Sequence, residues 1–96
     1  MDQQFCIGIW NDRSRPHIIW IEPWGDDYTL LSNQKLLVTT SGSDSNSGPC
    51  FTLVETEGNT QVYVERLVYP QVQIDGDKVE CGHNRQAAKD AGLWIE

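Results

Sequence analysis

The chain has 96 residues, the size of one small domain, and we expect a single domain over residues 1–96. It carries 14 acidic and 7 basic residues, for a formal net charge of −7. Because an acidic surface repels phosphate backbones and anionic lipid, we expect no nucleic-acid partner and no membrane partner. No stretch of the sequence approaches the roughly 18 apolar residues of a membrane span.

The N-terminal sequence and the cysteines indicate a cytoplasmic location. The stretch MDQQFCIGIW lacks the basic start and the long apolar run of a signal peptide, and its initiating Met favours a complete chain. The cysteines are odd in number (Cys6, Cys50 and Cys81), and no two have the Cys-x2-Cys spacing of a metal site. We therefore expect three free thiols in a reducing compartment, and no bound metal.

Alternation of apolar residues predicts strands in the first half of the chain. Residues 17–22, HIIWIE, place apolar side chains on both faces, which is typical of a central strand. Residues 28–31, YTLL, predict a short strand, residues 32–34, SNQ, a turn, and residues 35–41, KLLVTTS, the returning strand. Residues 41–49, SGSDSNSGP, have no apolar side chain to bury and predict a flexible polar loop.

The sequence CFTLVETEGNTQVYVERL predicts a β-hairpin with two candidate turns. A turn at residues 57–58 pairs Phe51 with Val64 and keeps apolar residues opposite one another. A turn at residues 58–59, Gly-Asn, has the more favourable turn residues but sets Phe51 opposite Arg66. We prefer the first register because of its apolar cross-strand pairs.

A second hairpin is predicted from VQIDGDKVEC. A turn at residues 76–77 sets Ile74 against Val79, whereas a turn at residues 75–76 sets Ile74 opposite Asp77. We prefer the first register, since cross-strand apolar pairs contribute roughly 0.2 to 1 kcal/mol each.

The C-terminal sequence predicts one short helix. Asn84 is a candidate N-cap, Ala87, Ala88 and Ala91 form a narrow stripe of methyl groups, and Gly92 is a candidate stop. A helix this short depends on docking against a sheet. With six or seven strands in sequential hairpins, the sequence predicts an all-β fold: a small antiparallel sandwich or barrel with a short C-terminal helix.

The stretch around residues 22–28 is the main candidate for a binding site. Its Pro and Gly suit a type I turn that carries Trp24 at a bend. There Trp24 could close the end of the core, which is the interpretation we prefer, or form a binding lip, since tryptophan beside carboxylates is typical of sugar and cation sites. The candidate binding residues are Glu22, Trp24, Asp26, Asp27 and Tyr28.

Residues 20–38, WIEPWGDDYTLLSNQKLLV, resemble a pattern in short uncharacterised bacterial proteins. That pattern runs from an apolar strand through Glu-Pro-Trp, an acidic and an aromatic residue and Thr-Leu to a turn and another strand. The turn here, residues 32–34, lacks the Pro and Gly of the pattern. The resemblance implies a bacterial origin and an all-β fold, and it implies no activity.

No catalytic or cofactor site is expected from the sequence. Cys81 and His83 could form a nucleophile–base pair, but Gly82 interrupts the strand and no third group orients the histidine. An inward-facing Cys81 thiol is the simpler interpretation. There is no glycine-rich phosphate loop, so no cofactor is expected.

We therefore expect a non-enzymatic interaction or structural module whose partner is another protein or a second copy, as a homodimer. The alternatives are a small-ligand domain for sugars or cations, and an acidic inhibitor or immunity-type partner of a basic protein.

Overall fold

The computed structural model describes residues 3–42, 49–65 and 68–94. Most of the predicted polar loop, residues 43–48, lies outside the described residues, and its first two residues, 41–42, instead end a strand. Within the described ranges no helix is both long and apolar enough to cross a membrane. The elements are β1 (Gln3–Trp10), β2 (His17–Glu22), β3 (Asp26–Leu30), β4 (Lys35–Gly42), β5 (Phe51–Glu55), β6 (Asn59–Val64), β7 (Gln71–Ile74), β8 (Asp77–Val79) and α1 (Arg85–Asp90).

The strands form two four-stranded sheets that enclose one core. Sheet I has the order β1-β4-β7-β8 and sheet II the order β3-β2-β6-β5. All neighbours are antiparallel except β2 and β6, which are parallel. Both sheets contribute to one buried cluster, which confirms an all-β sandwich; its members are Ile19, Ile21, Tyr28, Leu30, Leu36, Val38, Val62, Val64, Val72 and Ile74.

One strand, β1, was not predicted. It pairs along its whole length with β4, from Gln3 opposite Gly42 to Trp10 opposite Lys35. Its inner face carries only three apolar side chains, and all remain partly exposed because the strand lies at the edge of sheet I. The fold therefore has eight strands among the described residues, rather than six or seven.

The first hairpin has the predicted register. Phe51 lies opposite Val64, and the turn is closed by a hydrogen bond of 2.8 Å from the Thr56 N–H to the Asn59 carbonyl. The apolar pairing across β5 and β6 thus prevails over the better Gly-Asn turn sequence.

The predicted register of the second hairpin is wrong. Ile74 lies opposite Asp77, and the turn residues are Asp75 and Gly76, with φ of 51° and 90°. Both values are positive, as a type I′ turn requires, and the twist of that turn matches the twist of the strands. The Asp75 carboxylate also accepts a hydrogen bond of 3.0 Å from the Lys35 N–H. In this register β8 ends at Val79, so Cys81 is exposed rather than inward-facing.

The helix α1 forms where predicted, but it begins differently. Asn84 occupies the N-cap position with φ of 56° and makes no side-chain cap hydrogen bond, so the predicted capping role is wrong. Gly92, with φ of +75°, ends the helix as predicted. The Leu93 N–H donates to the Ala88 carbonyl at 2.9 Å, which completes a Schellman motif. Ala88 is fully buried, and the helix lies against β3.

Candidate functional site

Strand β3 separates the predicted binding residues onto two faces. Asp26 and Tyr28 pair with Ile21 and Ile19, whose side chains face the core. Asp27, between them, therefore points to the outer face of sheet II. The five residues proposed from the sequence do not form one site, because alternate residues of a strand point in opposite directions.

On the outer face, Asp27 anchors the C-terminal segment. Its side chain is 2% exposed and accepts two hydrogen bonds from Arg85, from Nε at 3.0 Å and from Nη2 at 2.5 Å. The Arg85 guanidinium lies 4.9 Å from the ring centroid of Trp94, which stacks on Trp20 at 5.5 Å. Asp27 is thus occupied by a structural ion pair, and we remove it from the candidate site.

Glu22 also lies outside the site. It follows Trp20 on the outer face of sheet II, where its carboxylate accepts a hydrogen bond of 3.4 Å from Nε2 of Gln61. Trp20 and Gln61 both lie on the face of sheet II opposite to Asp26. Glu22 therefore stabilises the pairing of β2 with β6.

The loop between β2 and β3 differs from the predicted type I turn. The Glu22–Pro23 peptide bond is cis, and the loop is closed by a 2.9 Å hydrogen bond from the Gly25 N–H to the Ile21 carbonyl. Trp24 is 38% exposed. Trp24 is neither in the buried core cluster nor among the partly buried side chains packed against that cluster, contrary to the prediction that it closes the end of the core.

The ring of Trp24 packs against Tyr69 instead. The two centroids are 5.0 Å apart and the planes meet at 84°, an edge-to-face pair. Tyr69 is 56% exposed, and its hydroxyl donates a hydrogen bond to the Asp26 carboxylate. These three side chains, Trp24, Tyr69 and Asp26, form what we call the aromatic corner.

Two hydrogen bonds bring Tyr69 to this position. The Val68 N–H donates to the Ser41 carbonyl at 3.1 Å, and the Val68 carbonyl accepts a hydrogen bond from the Thr40 hydroxyl. The chain entering β7 is therefore tied to the end of β4, beside the start of β3. Sequence reasoning missed Tyr69, since no local pattern connects it with a carboxylate 43 positions earlier.

The phenols at and beside the aromatic corner stay protonated. Its hydrogen bond to Asp26 raises the pKa of Tyr69 to about 12, with smaller contributions from burial and the Asp26 charge. Burial raises the pKa of Tyr28, and the neighbouring Tyr69 and Asp26 raise it further. At neutral pH the corner therefore presents one neutral phenol beside the indole and the Asp26 side chain, and the neutral Tyr28 phenol lies buried next to it.

A cleft of about 370 Å³ lies beside the corner. Its walls are formed by Tyr28 of β3, the start of β7 and the end of β8. The charged side chains in its lining are Lys78 and Glu80. Its volume falls within the ~300 to 1,000 Å³ typical of ligand sites. The lining residues are Tyr28, Tyr69, Pro70, Gln71, Val72, Lys78, Val79 and Glu80.

The histidines and Cys81 do not form a catalytic group in the described part of the chain. The Cys81 thiol donates toward Asp27 Oδ1 at 3.7 Å, and burial raises its pKa, opposite to the shift that activates a thiol. His17 is buried, with Nε2 hydrogen-bonded to the Thr60 hydroxyl at 2.8 Å. His83 acts through its backbone, whose carbonyl accepts from the Thr29 N–H.

No metal cluster lies among the described side chains, where no three His, Cys, Asp or Glu residues converge. All three cysteines are free, with Cys6 in β1 of sheet I and Cys50 next to β5 of sheet II.

Comparison of the chain with family models, with curated proteins and with solved structures finds no match. The aromatic corner and the cleft are therefore the features of the molecule that indicate a function.

Proposed function

We propose that this protein is a non-enzymatic interaction module that binds a cationic group of its partner at the aromatic corner. The observation that carries the proposal is the perpendicular pair of exposed rings, Trp24 and Tyr69, beside the Asp26 carboxylate. Two rings at 84° form two walls around a compact group, whereas a sugar ring stacks best on one flat ring.

The charge of the molecule supports a cationic partner. The chain has a net charge of −7, which raises the local concentration of basic ligands and repels nucleic acid. Near the corner, Asp26 and Glu80 supply two carboxylates, and Lys78 supplies one opposing charge. A Lys or Arg side chain of a basic protein would lie over an aromatic face while its charge faces a carboxylate.

The chemistry of the site supports binding rather than catalysis. The corner offers one phenol, Tyr69, whose pKa is raised, and neither the neighbouring Tyr28 phenol nor the Cys81 thiol is activated, since their pKa values are raised as well. General acid–base work at neutral pH favours a group with a pKa near 7. Binding by aromatic contact and charge needs no such group.

NMR titration with small probes tests the proposal. The probes are the Nα-acetyl amides of lysine and arginine, with Nα-acetylnorleucine amide as the neutral analogue of lysine, and N-acetylglucosamine as the sugar. The indole N–H signal of Trp24 is assigned from a Trp24→Phe variant. We expect the two cationic probes to shift that signal saturably, with a dissociation constant on the order of 1 mM. Nα-acetylnorleucine amide and the sugar should leave the signal in place.

Charge variants locate the binding. Asp26→Asn should weaken the cationic probes by about threefold, and Lys78→Met should tighten them by about twofold, as for partly exposed ion pairs. Asp12→Asn removes the same charge from an exposed position and serves as the matched control. Equal effects of Asp26→Asn and Asp12→Asn would contradict a site at the corner. If only the sugar gives a saturable shift of the Trp24 signal, the ligand of the corner is a sugar and the cationic proposal is contradicted.

The compartment and origin are part of the same proposal. Three free cysteines support a reducing cytoplasm. The resemblance of residues 20–38 to short bacterial proteins supports a bacterial source. A basic protein from the same cell, captured at low salt and released at high salt, is the partner that this charge favours.

A further inference from the structure

Among the described residues, strand β1 is an open sheet edge without the usual protection against pairing. It is eight residues long, lies at the end of sheet I, and contains no charged residue and no proline. Natural sheets protect such edges with charges, prolines, bulges or short strands. Three inner-face side chains, Phe5, Ile7 and Ile9, remain only half-buried, since nothing in the described part of the chain covers their outer side.

The three other edge strands are shorter than β1, and each has either a charged side chain or a covering segment. Strand β8 has only three residues, two of them charged. Strand β5 ends in Glu55, which pairs with Arg13 at 3.1 Å. Strand β3 is covered by the segment before α1, because the Thr29 N–H donates to the His83 carbonyl and Tyr28 forms a bridge with His83.

The register of β1 identifies its free backbone groups. The Asn11 N–H donates to the Gln34 carbonyl at 3.0 Å, in line with the β1–β4 pairing. Odd-numbered residues therefore bond to β4, and even-numbered residues point their N–H and C=O groups outward. The outward groups belong to Gln4, Cys6, Gly8 and Trp10.

We propose that β1 pairs antiparallel with β1 of a second copy, so that two copies of sheet I form one continuous eight-stranded sheet. A twofold axis at Ile7 opposes Gln4 with Trp10 and Cys6 with Gly8 of the other copy. All four outward residues are then hydrogen-bonded in reciprocal pairs.

This register is self-complementary on both faces. On the inner face, Ile7 meets Ile7 of the second copy and Phe5 meets Ile9, so the half-buried side chains become covered. No two like charges oppose each other along the strand. Since each copy carries a net charge of −7, the dimer should tighten as salt is added, whereas binding of a cation at the aromatic corner should weaken.

Sedimentation equilibrium over a concentration series tests the dimer. We expect a species of twice the 10.9 kDa monomer mass. Cys6→Pro removes an outward N–H and leaves the β4 ladder intact, so it should weaken dimerisation at least about tenfold while the circular dichroism stays native. Cys6→Ser is the matched control and should still dimerise. If Cys6→Pro does not fold, Cys6→Lys introduces an edge charge at the same position and should give the same loss.

Disulfide trapping tests the register in a variant with all three cysteines replaced by serine. In the proposed register the two Ile7→Cys residues are about 4.5 Å apart between Cα atoms, within disulfide range. Ile9→Cys lies on the same face, but it opposes Phe5 of the second copy, and the cysteine of that copy lies four residues farther along the strand, so the two should not cross-link. A monomer at all concentrations would overturn the proposal, as would a dimer that Cys6→Pro leaves unchanged or that cross-links through Ile9→Cys instead.

Discussion

The Asp27–Arg85 pair should respond unequally to removal of its two members. Asp27 is 2% exposed, whereas the Arg85 side chain is 41% exposed. In Asp27→Asn the guanidinium can return to water, and the loss is that of hydrogen bonds to a charged group, about 2 kcal/mol of unfolding free energy. In Arg85→Met the carboxylate stays buried, and its remaining side-chain hydrogen-bond partner among the described residues is the Cys81 thiol at 3.7 Å.

A buried charge left without its partner in general costs about 3 to 5 kcal/mol, more than the loss of the hydrogen bonds alone. We therefore expect Arg85→Met to be the more destabilising of the two substitutions. The methionine retains the apolar stem of the arginine, so most of the packing against Trp94 is preserved and the charge is the main change.

Urea unfolding of the two variants measures the difference. The matched control is Arg13→Met, which breaks the exposed pair with Glu55 and should change the unfolding free energy by less than about 0.5 kcal/mol. Two outcomes would contradict this expectation: Asp27→Asn as costly as Arg85→Met, or Arg85→Met no more costly than Arg13→Met. Either would mean that the buried Asp27 carboxylate does not need Arg85 to compensate its charge.

Three other predictions follow from single residues. Trp24→Ala should cost about 1 to 2 kcal/mol in urea unfolding, below the roughly 3 to 5 kcal/mol of a fully buried aromatic, and iodide should quench the Trp24 fluorescence; a larger cost would restore its role in the core. Burial and, to a smaller extent, the Arg13 charge lower the pKa of His17 below its unfolded value near 6.5. The contribution of neutral His17 to the unfolding free energy is therefore fully present above that pH. It is lost as the pH decreases, by at most about 1.4 kcal/mol per pH unit. His17→Gln should remove this slope and His83→Gln should retain it. Gly76→Ala should cost about 1 kcal/mol because φ is +90°, whereas Gly8→Ala in β1 meets only an ordinary contact of 3.9 Å and should be nearly neutral in thermal unfolding.

The two hairpins show why sequence predicts some registers and not others. In the first, Phe51 lies opposite Val64 although Gly-Asn is the better turn sequence, so the apolar cross-strand pairs decided and the prediction is confirmed. In the second, Asp75 and Gly76 both adopt positive φ, and the Asp75 carboxylate bonds to Lys35 on the neighbouring strand β4. Ile74 loses its apolar partner across the hairpin but remains buried in the core between the sheets. For Ile74, burial between the two sheets takes the place of an apolar partner across the hairpin. The sequence alone does not show which strands of the other sheet will cover a given residue.

The candidate site illustrates the same limit on a smaller scale. The predicted strand began at residue 28, whereas β3 begins at Asp26, and only with the two aspartates in the strand does its alternation separate Asp26 and Tyr28 from Asp27. The sequence could not show what each face would meet. Asp27 meets Arg85, 58 positions later, and Asp26 meets Tyr69, 43 positions later. The first contact neutralises a carboxylate within the fold, and the second leaves one beside two exposed rings. A pair of adjacent aspartates therefore has one structural member and one candidate binding member, and only the tertiary contacts distinguish them.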